Sequence, residues 1–177
     1  MKLFICYAAL CLLPLLSSGQ RLSRTAEGMT VIADAYKIRL DQQAGTISYG
    51  FSDGSYIKGT AGVIKDMKGN VYNSSSFNSH RISSRQFSDA IGKGQQLSFM
   101  HEQPGVPVQL THTIYVYDKL PYFLISISAT SKIKDNLEVN YISPLTVLPA
   151  KGASCFVHGE NPRLLDVPFD NDNWVKV

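Results

Sequence analysis

From Met29 onward, hydrophobic and polar residues alternate in short runs that are separated by Gly, Asn, Asp and Pro. The clearest run covers residues 107–118, "PVQLTHTIYVYD", and its alternate positions are apolar except for His112. Period-two alternation with β-branched and aromatic residues is typical of β-strands. After the turn "DKLP", residues 122–130 alternate in the same way. We therefore expect these two runs to form an antiparallel hairpin.

Several other segments show the same alternation of hydrophobic and polar residues. No segment after residue 19 keeps the helical period of 3.6 residues for three turns. In the first of them, Ile32, Tyr36, Ile38 and Leu40 are expected on one face, interrupted by Asp34. The pattern predicts an all-β fold, an antiparallel sandwich or barrel. The polar stretch 72–94 is expected to be a long loop or an irregular edge. The further candidate strands are residues 30–41, 45–51, 56–66, 95–102, 137–149 and 162–169.

The N-terminus has the pattern of a cleaved secretory signal. Lys2 precedes a short apolar run that ends in small residues, with Gly19 as the expected cleavage point. The run is too short for a comfortable membrane span, and Cys11 lies inside it rather than behind a small-residue lipidation box. We therefore predict a secreted or periplasmic protein without a membrane anchor. Its expected organisation is a signal peptide over 1–19, a polar lead-in over 20–28 and one β-sandwich domain over 29–177.

The charge indicates which partners to expect, and the cysteine content indicates whether disulfides can stabilise the fold. The net charge is +3 and falls to +2 without Lys2, and no block of Lys and Arg interleaves with aromatic residues. Nucleic acid is therefore not an expected partner. Cys155 is the only cysteine after the signal, so no internal disulfide can form. The fold must depend on its hydrophobic core.

Two motifs before the C-terminal region have competing interpretations. "GFSDG" places Ser52 in the nucleophile-elbow pattern, which requires a strand-to-helix turn, whereas Asp-Gly-Ser also indicates a simple β-turn. The four histidines, at positions 80, 101, 112 and 158, form no tight metal-ligand pair in the sequence. His112 is expected to be a hydrogen-bonded, half-buried side chain in a strand. His158 and Glu160 could be site residues near Cys155.

The stretch "LLDVPFDNDNW" at 164–174 concentrates polar chemistry and the only Trp. Three interpretations remain open. Aspartate and asparagine oxygens suit calcium, although the EF-hand pattern fails, so no cofactor is predicted beyond this calcium alternative. The same groups suit sugar hydroxyls, with the indole on a pyranose face, and an Asx-rich turn is the third interpretation. The predicted substrate-binding residues are Asp170, Asn171, Asp172, Asn173 and Trp174.

"YVYDKLPYFLISISA", "NYISPLTVLP" and "LLDVPFDNDNW" together resemble the N-terminal β-sandwich of secreted α-galactosidase-like glycoside hydrolases, particularly those of Bacteroidetes. The resemblance covers most of residues 29–177. It implies a supersandwich of the galactose-mutarotase-like type that precedes a separate (β/α)₈ barrel. It also implies that the catalytic carboxylates stand in that barrel and that residues 170–174 lie where the two domains meet, close to the substrate pocket.

No alternating strand and helix pattern follows the sandwich here, and the chain is too short to hold both domains. We therefore expect a sandwich that could be incomplete at its C-terminal end and inactive by itself, with a carbohydrate and a missing barrel as partners. Its role would be to brace the barrel and to contribute a substrate loop. The alternatives are a stand-alone carbohydrate-binding or surface-interaction module and a small serine hydrolase built on Ser52.

Overall fold

The computed structural model describes residues 20–133 and 136–159, which form strands and two short 3₁₀ turns. Every strand pair is antiparallel, which confirms the all-β sandwich predicted from the alternation. The strands are β1 (Arg21–Thr25), β2 (Gly28–Ile32), β3 (Tyr36–Asp41), β4 (Thr46–Phe51), β5 (Tyr56–Asp66), β6 (Val71–Asn73), β7 (Ser79–Ser88), β8 (Lys93–Glu102), β9 (Val108–Tyr117), β10 (Phe123–Ser131), β11 (Val139–Thr146) and β12 (Ser154–Phe156).

The strands divide between two sheets. The larger sheet has the order β1-β2-β3-β4-β5-β11, and β6 and β12 also pair with β5. The smaller sheet has the order β10-β9-β8-β7. Sequential hairpins build most of both sheets, so neighbours in space are mostly neighbours in sequence. The long strand β5 is the exception, because four different strands pair along its two edges.

The core lies between the two sheets and is built by the inward half of each alternating strand. Fully buried Ile38 and Tyr49 from the larger sheet belong to one cluster with Leu97, Phe99 and Ile114 from the smaller sheet. Burial of such side chains stabilises the fold by about 1.5–3 kcal/mol each. A second, smaller cluster joins Ile64, Phe77, Val108 and Leu110.

The hairpin predicted from the two clearest runs is confirmed. Strands β9 and β10 pair over nine residues, from Phe123 opposite Val116 to Ser131 opposite Val108. Val108, Leu110, Ile114 and Val116 are all fully buried, as their alternation indicates.

The segment 30–41, predicted to be one strand, forms the two strands β2 and β3. As a result, Ile32 does not lie on the buried face predicted for it. A turn closed by a 2.9 Å hydrogen bond from Ala33 N to Tyr36 O separates β2 from β3. The turn shifts the phase of the alternation, so Val31 is buried and Ile32 is 45% exposed. The predicted burial of Tyr36, Ile38 and Leu40 is correct.

Two segments predicted to be irregular are regular strands. The segment expected to be a polar lead-in contains β1, which pairs with β2 although all five of its residues are exposed. The stretch 72–94, expected to be a long loop or an irregular edge, contains the regular ten-residue strand β7, which does lie at the edge of the smaller sheet. The predicted strand 162–169 lies outside the described residues.

Gly62 in β5 lies close to side chains of the smaller sheet. A Cβ atom at this position would lie 2.3 Å from Ile127 Cδ1 and 2.5 Å from His112 Nε2. Both distances are too short for a real Cβ contact, so the side chains of Ile127 and His112 would have to shift to admit one. Gly50 in β4 is the opposite case, because nothing lies within 4 Å of its Cβ position.

We predict that Gly62→Ala lowers the free energy of unfolding by about 1–3 kcal/mol, the usual cost of forcing atoms into a packed core. Gly50→Ala should be neutral or slightly stabilising, because alanine restricts the unfolded chain. Urea unfolding of the two variants beside the wild type measures both effects. Equal midpoints for the two variants would contradict the tight contact at Gly62.

Candidate functional site

The residues predicted to bind substrate, Asp170, Asn171, Asp172, Asn173 and Trp174, lie outside the described residues. Glu160 lies outside them as well. The sugar, calcium and turn interpretations of that stretch therefore stay predictions. His158 is described and exposed, and its backbone N–H donates to Ser55 Oγ over 3.0 Å.

Ser52 lies in a turn rather than at a nucleophile elbow. The turn joins β4 to β5, and Gly54 N donates to Phe51 O over 3.1 Å. Asp53 accepts hydrogen bonds from the backbone and the hydroxyl of Ser55, which lower the pKa of its carboxyl. A nucleophile elbow needs a helix after the serine. Here a strand follows, so the β-turn interpretation is confirmed and the small serine hydrolase loses its geometric basis.

Three histidines form an unexpected hydrogen-bonded chain through the interior. His80 Nδ1 lies 2.9 Å from His101 Nδ1, and His101 Nε2 lies 3.0 Å from His112 Nδ1. His112 Nε2 lies 3.1 Å from the carbonyl oxygen of Pro144 in β11. The chain starts at the edge strand of the smaller sheet, crosses three of its strands and ends on the larger sheet. It is therefore a polar link between the two sheets.

The Pro144 carbonyl determines which ring nitrogens carry protons when the chain is neutral. A carbonyl oxygen can only accept, so His112 Nε2 donates to it. His112 Nδ1 is then an acceptor for a proton on His101 Nε2. By the same reasoning, His101 Nδ1 accepts from the Nδ1–H of His80. All three hydrogen bonds are satisfied by neutral rings that donate in one direction.

Burial keeps the three imidazoles neutral. Desolvation above all, together with the neighbouring rings of His112 and His80, lowers the pKa of His101 to about 2. Desolvation also lowers the pKa of His112 to about 4, although the Pro144 carbonyl acts against it. The pKa of His80 is lowered by burial and raised in part by the Phe77 carbonyl and by Asp41. The prediction for His112 was correct about hydrogen bonding but wrong about half-burial, because its side chain is only 1% exposed.

The histidine chain is part of the hydrophobic core. Its rings lie among core side chains, with Phe99 4.2 Å from His101 between ring centroids. Within residues 20–133 and 136–159, no group of three or more His, Cys, Asp or Glu side chains is arranged to hold a metal ion. The chain could not be predicted from the sequence, because His80, His101 and His112 lie in three different strands. Only the pairing register of those strands brings the three rings together.

A different part of the molecule exposes large hydrophobic side chains. We define the apolar edge as Met67, Val71, Val139, Tyr141 and Ile142. Met67 and Val71 are 62% exposed, and Tyr141 and Ile142 are 51% exposed. β6 and β11 pair with opposite edges of β5, so Val71 and Tyr141 both lie opposite Lys65. Directly paired residues share one face of a sheet, so these two side chains flank Lys65 on the outer face.

A cleft of about 330 Å³ adjoins the apolar edge and shares Met67 with it. Asp66 anchors one wall, because Asn70 donates to both of its carboxylate oxygens over 2.8 Å. Tyr72 OH donates to the same carboxylate over 3.2 Å. These hydrogen bonds, from Asn70 above all, lower the pKa of Asp66. Leu137 and Glu138 also line the cleft, which therefore has both apolar and polar walls.

The buried histidines predict an acid-sensitive fold. Each has a folded pKa below its unfolded value of about 6.5, so its neutral form contributes stability above that pH. Unfolding below pH 6.5 takes up protons, and stability should fall by about 1.4 kcal/mol per pH unit for each neutral histidine. Urea unfolding from pH 7 to pH 5 measures the slope. A flat wild-type curve would contradict neutral burial.

The described residues thus contain a turn at Ser52, a histidine chain in the core, and an apolar edge beside a cleft. No helix in residues 20–133 or 136–159 has the length and apolar content that a membrane crossing requires. Comparison of the chain with protein-family models, with curated proteins and with solved structures finds no match.

Proposed function

We propose that this chain is a non-catalytic β-sandwich domain of a secreted, α-galactosidase-like glycoside hydrolase, and that its apolar edge packs against the catalytic barrel. The observation that carries the proposal is the exposure of five large hydrophobic side chains around β5, β6 and β11. Large hydrophobic side chains that are exposed close together, as Val71 and Tyr141 are on either side of Lys65, are typical of an interaction site. Interfaces between domains of one chain cover such surface in the intact protein.

The position of the apolar edge favours a neighbour that follows in sequence. β11 pairs with the second half of β5 and β12 pairs with its first half, so the two strands lie one after the other along β5. Large hydrophobic residues stay exposed along this path, since Phe156 and Val157 are also exposed. A barrel that comes after the sandwich would meet these strands first. The resemblance of residues 29–177 to glycoside hydrolase sandwiches supports a (β/α)₈ barrel as that neighbour.

The proposal assigns the sandwich a bracing role and no catalytic step. Hydrolysis of a terminal α-galactoside would use two carboxylates in the barrel. The sandwich would hold the barrel through the apolar edge, and the adjoining cleft would lie at the border of the two domains. Asp170, Asn171, Asp172, Asn173 and Trp174 would contribute to substrate binding from the same border, as the resemblance implies.

Removing the exposed hydrophobic side chains should change the surface without changing the fold. We predict that the double variant Val71→Thr, Tyr141→Thr binds less of the dye anilinonaphthalene sulfonate than the wild type and associates less in sedimentation velocity. Threonine is β-branched and favours the strand conformation at both positions. Leu22→Thr, on exposed β1 of the same sheet, is the matched control and should behave as the wild type. Equal dye binding by all three proteins would contradict a docking surface at this edge.

The hydrolase assignment has its own test. We predict that this chain alone does not hydrolyse an aryl α-galactoside, and that the reading frame continues beyond the Val177 codon into alternating strands and helices. A protein expressed from the longer frame should hydrolyse the substrate and lose thermal stability when Val71 and Tyr141 are replaced by threonine. A stop codon followed by an unrelated gene would overturn the assignment.

A further inference from the structure

The outer face of the smaller sheet is a second surface with distinct chemistry, on the opposite side of the sandwich from the larger sheet. Its side chains alternate with the core residues of β7 to β10 and form rows that cross all four strands. We define the outer face by three adjacent rows. The rows are Arg85, Gln96, Tyr115 and Leu124; Ser83, Ser98, Thr113 and Ser126; and Arg81, Met100, Thr111 and Ser128.

Hydroxyl groups dominate the middle of the outer face. The second row consists only of serine and threonine, and the third row adds Thr111 and Ser128. None of these six hydroxyls has a hydrogen-bond partner in the part of the chain that the structure describes. Each can both donate and accept. Strands lie about 4.8 Å apart, so a row offers polar groups at regular intervals over about 14 Å.

An aromatic residue and a cation lie in the same row at one end of the outer face. Tyr115 is half-buried, and the ring of Phe87 supports it edge-on at 5.3 Å between centroids. Its neighbour across the sheet is Gln96, and the next residue in the row is Arg85. Gln96 Oε1 accepts from Arg85 Nε over 3.1 Å and from Arg85 Nη2 over 2.9 Å. Arg85 is therefore held against Gln96, which lies between it and Tyr115 in the row.

Arg85 keeps binding capacity after this contact. A guanidinium carries five N–H donors in a planar fork, and Gln96 takes the edge formed by Nε and Nη2. The edge formed by the two Nη atoms is not used by Gln96, and it can also bind a carboxylate bidentately. Within the described residues, Arg85 forms no ion pair, whereas Arg81 pairs with Glu102 and Glu102 also pairs with Lys132. Arg85 is thus the uncompensated cation of the outer face.

The composition of the outer face argues against a protein partner. The core of a protein interface is apolar and depleted in charge, but most of the twelve side chains here are hydroxyls, amides or cations. Sugar recognition needs the opposite mixture. It uses one aromatic ring against the apolar face of a pyranose and many hydrogen-bonding groups for the hydroxyls. The uncompensated Arg85 adds complementarity to a negatively charged sugar.

We propose that the outer face binds a polysaccharide built from uronic acids. One pyranose ring packs on Tyr115, and its carboxylate accepts two hydrogen bonds from the Nη edge of Arg85. The Gln96 amide and the hydroxyls of the second row, among them Thr113, bind the hydroxyls of that sugar and its neighbours. The site lies on the smaller sheet, so it does not depend on the apolar edge or on membership of a hydrolase.

Isothermal titration calorimetry with an oligogalacturonate tests this site, with a neutral galacto-oligosaccharide of the same length as the comparison. We predict binding of the oligogalacturonate in the micromolar to millimolar range and an affinity that falls as sodium chloride screens the charges. Arg85→Ala should weaken binding by roughly 10- to 100-fold, the usual range for charge-assisted hydrogen bonds. Arg85→Lys keeps the charge but loses the bidentate geometry, so it should retain an intermediate affinity.

Tyr115→Ala should also weaken binding by about tenfold or more, because stacking on the sugar is lost. Arg21→Ala, an exposed cation on the other sheet, is the control and should bind as the wild type. Urea midpoints close to that of the wild type will show that each variant is folded. No binding of the oligogalacturonate, equal binding of the neutral oligosaccharide, or wild-type affinity in Arg85→Ala would overturn the proposal.

Discussion

The hydrogen-bonded chain from His80 to the Pro144 carbonyl is the constraint on which the rest of this sandwich depends. It places three polar rings in an apolar core, where an unpaired polar group would cost several kcal/mol. The cost is offset because each ring donates to the next and the last donates to a backbone oxygen. The arrangement requires neutral rings and fixed tautomers. Glycine at position 62 leaves room for it, because a Cβ atom there would lie 2.5 Å from His112 Nε2. A fully satisfied polar network of this kind specifies one packing of the two sheets.

The sequence was informative wherever a strand buries one whole face. β9 and β10 could be predicted because their inward residues form an unbroken apolar alternation, apart from His112. β7 is an edge strand whose inward positions include a histidine and serines, so its sequence shows no such alternation. β1 has every residue exposed, and only its pairing with β2 makes it a strand. Pairing of this kind depends on residues that are distant in sequence and leaves little local pattern.

Function was harder to predict than fold for a related reason. The residues singled out in the sequence were those with concentrated chemistry in one short stretch, such as Ser52 and 170–174. The features that the structure reveals are instead assembled across strands. Arg85 and Tyr115 are thirty positions apart and share a row only through β8. The apolar edge similarly combines β6 with β11, on either side of β5. Register, not local composition, creates both surfaces.

The pairing register of β9 therefore determines both which side chains enter the core and which lie on the outer face. β9 carries His112 inward, and Thr111 and Thr113 outward, on adjacent residues. A shift of β9 by one residue would move the threonines into the core and the histidine into water. The hydrogen bond of His112 to Pro144 opposes such a shift, because only one register brings Nε2 to that carbonyl. The buried histidine chain thus keeps the hydroxyl rows and Tyr115 aligned, although none of its rings belongs to the outer face.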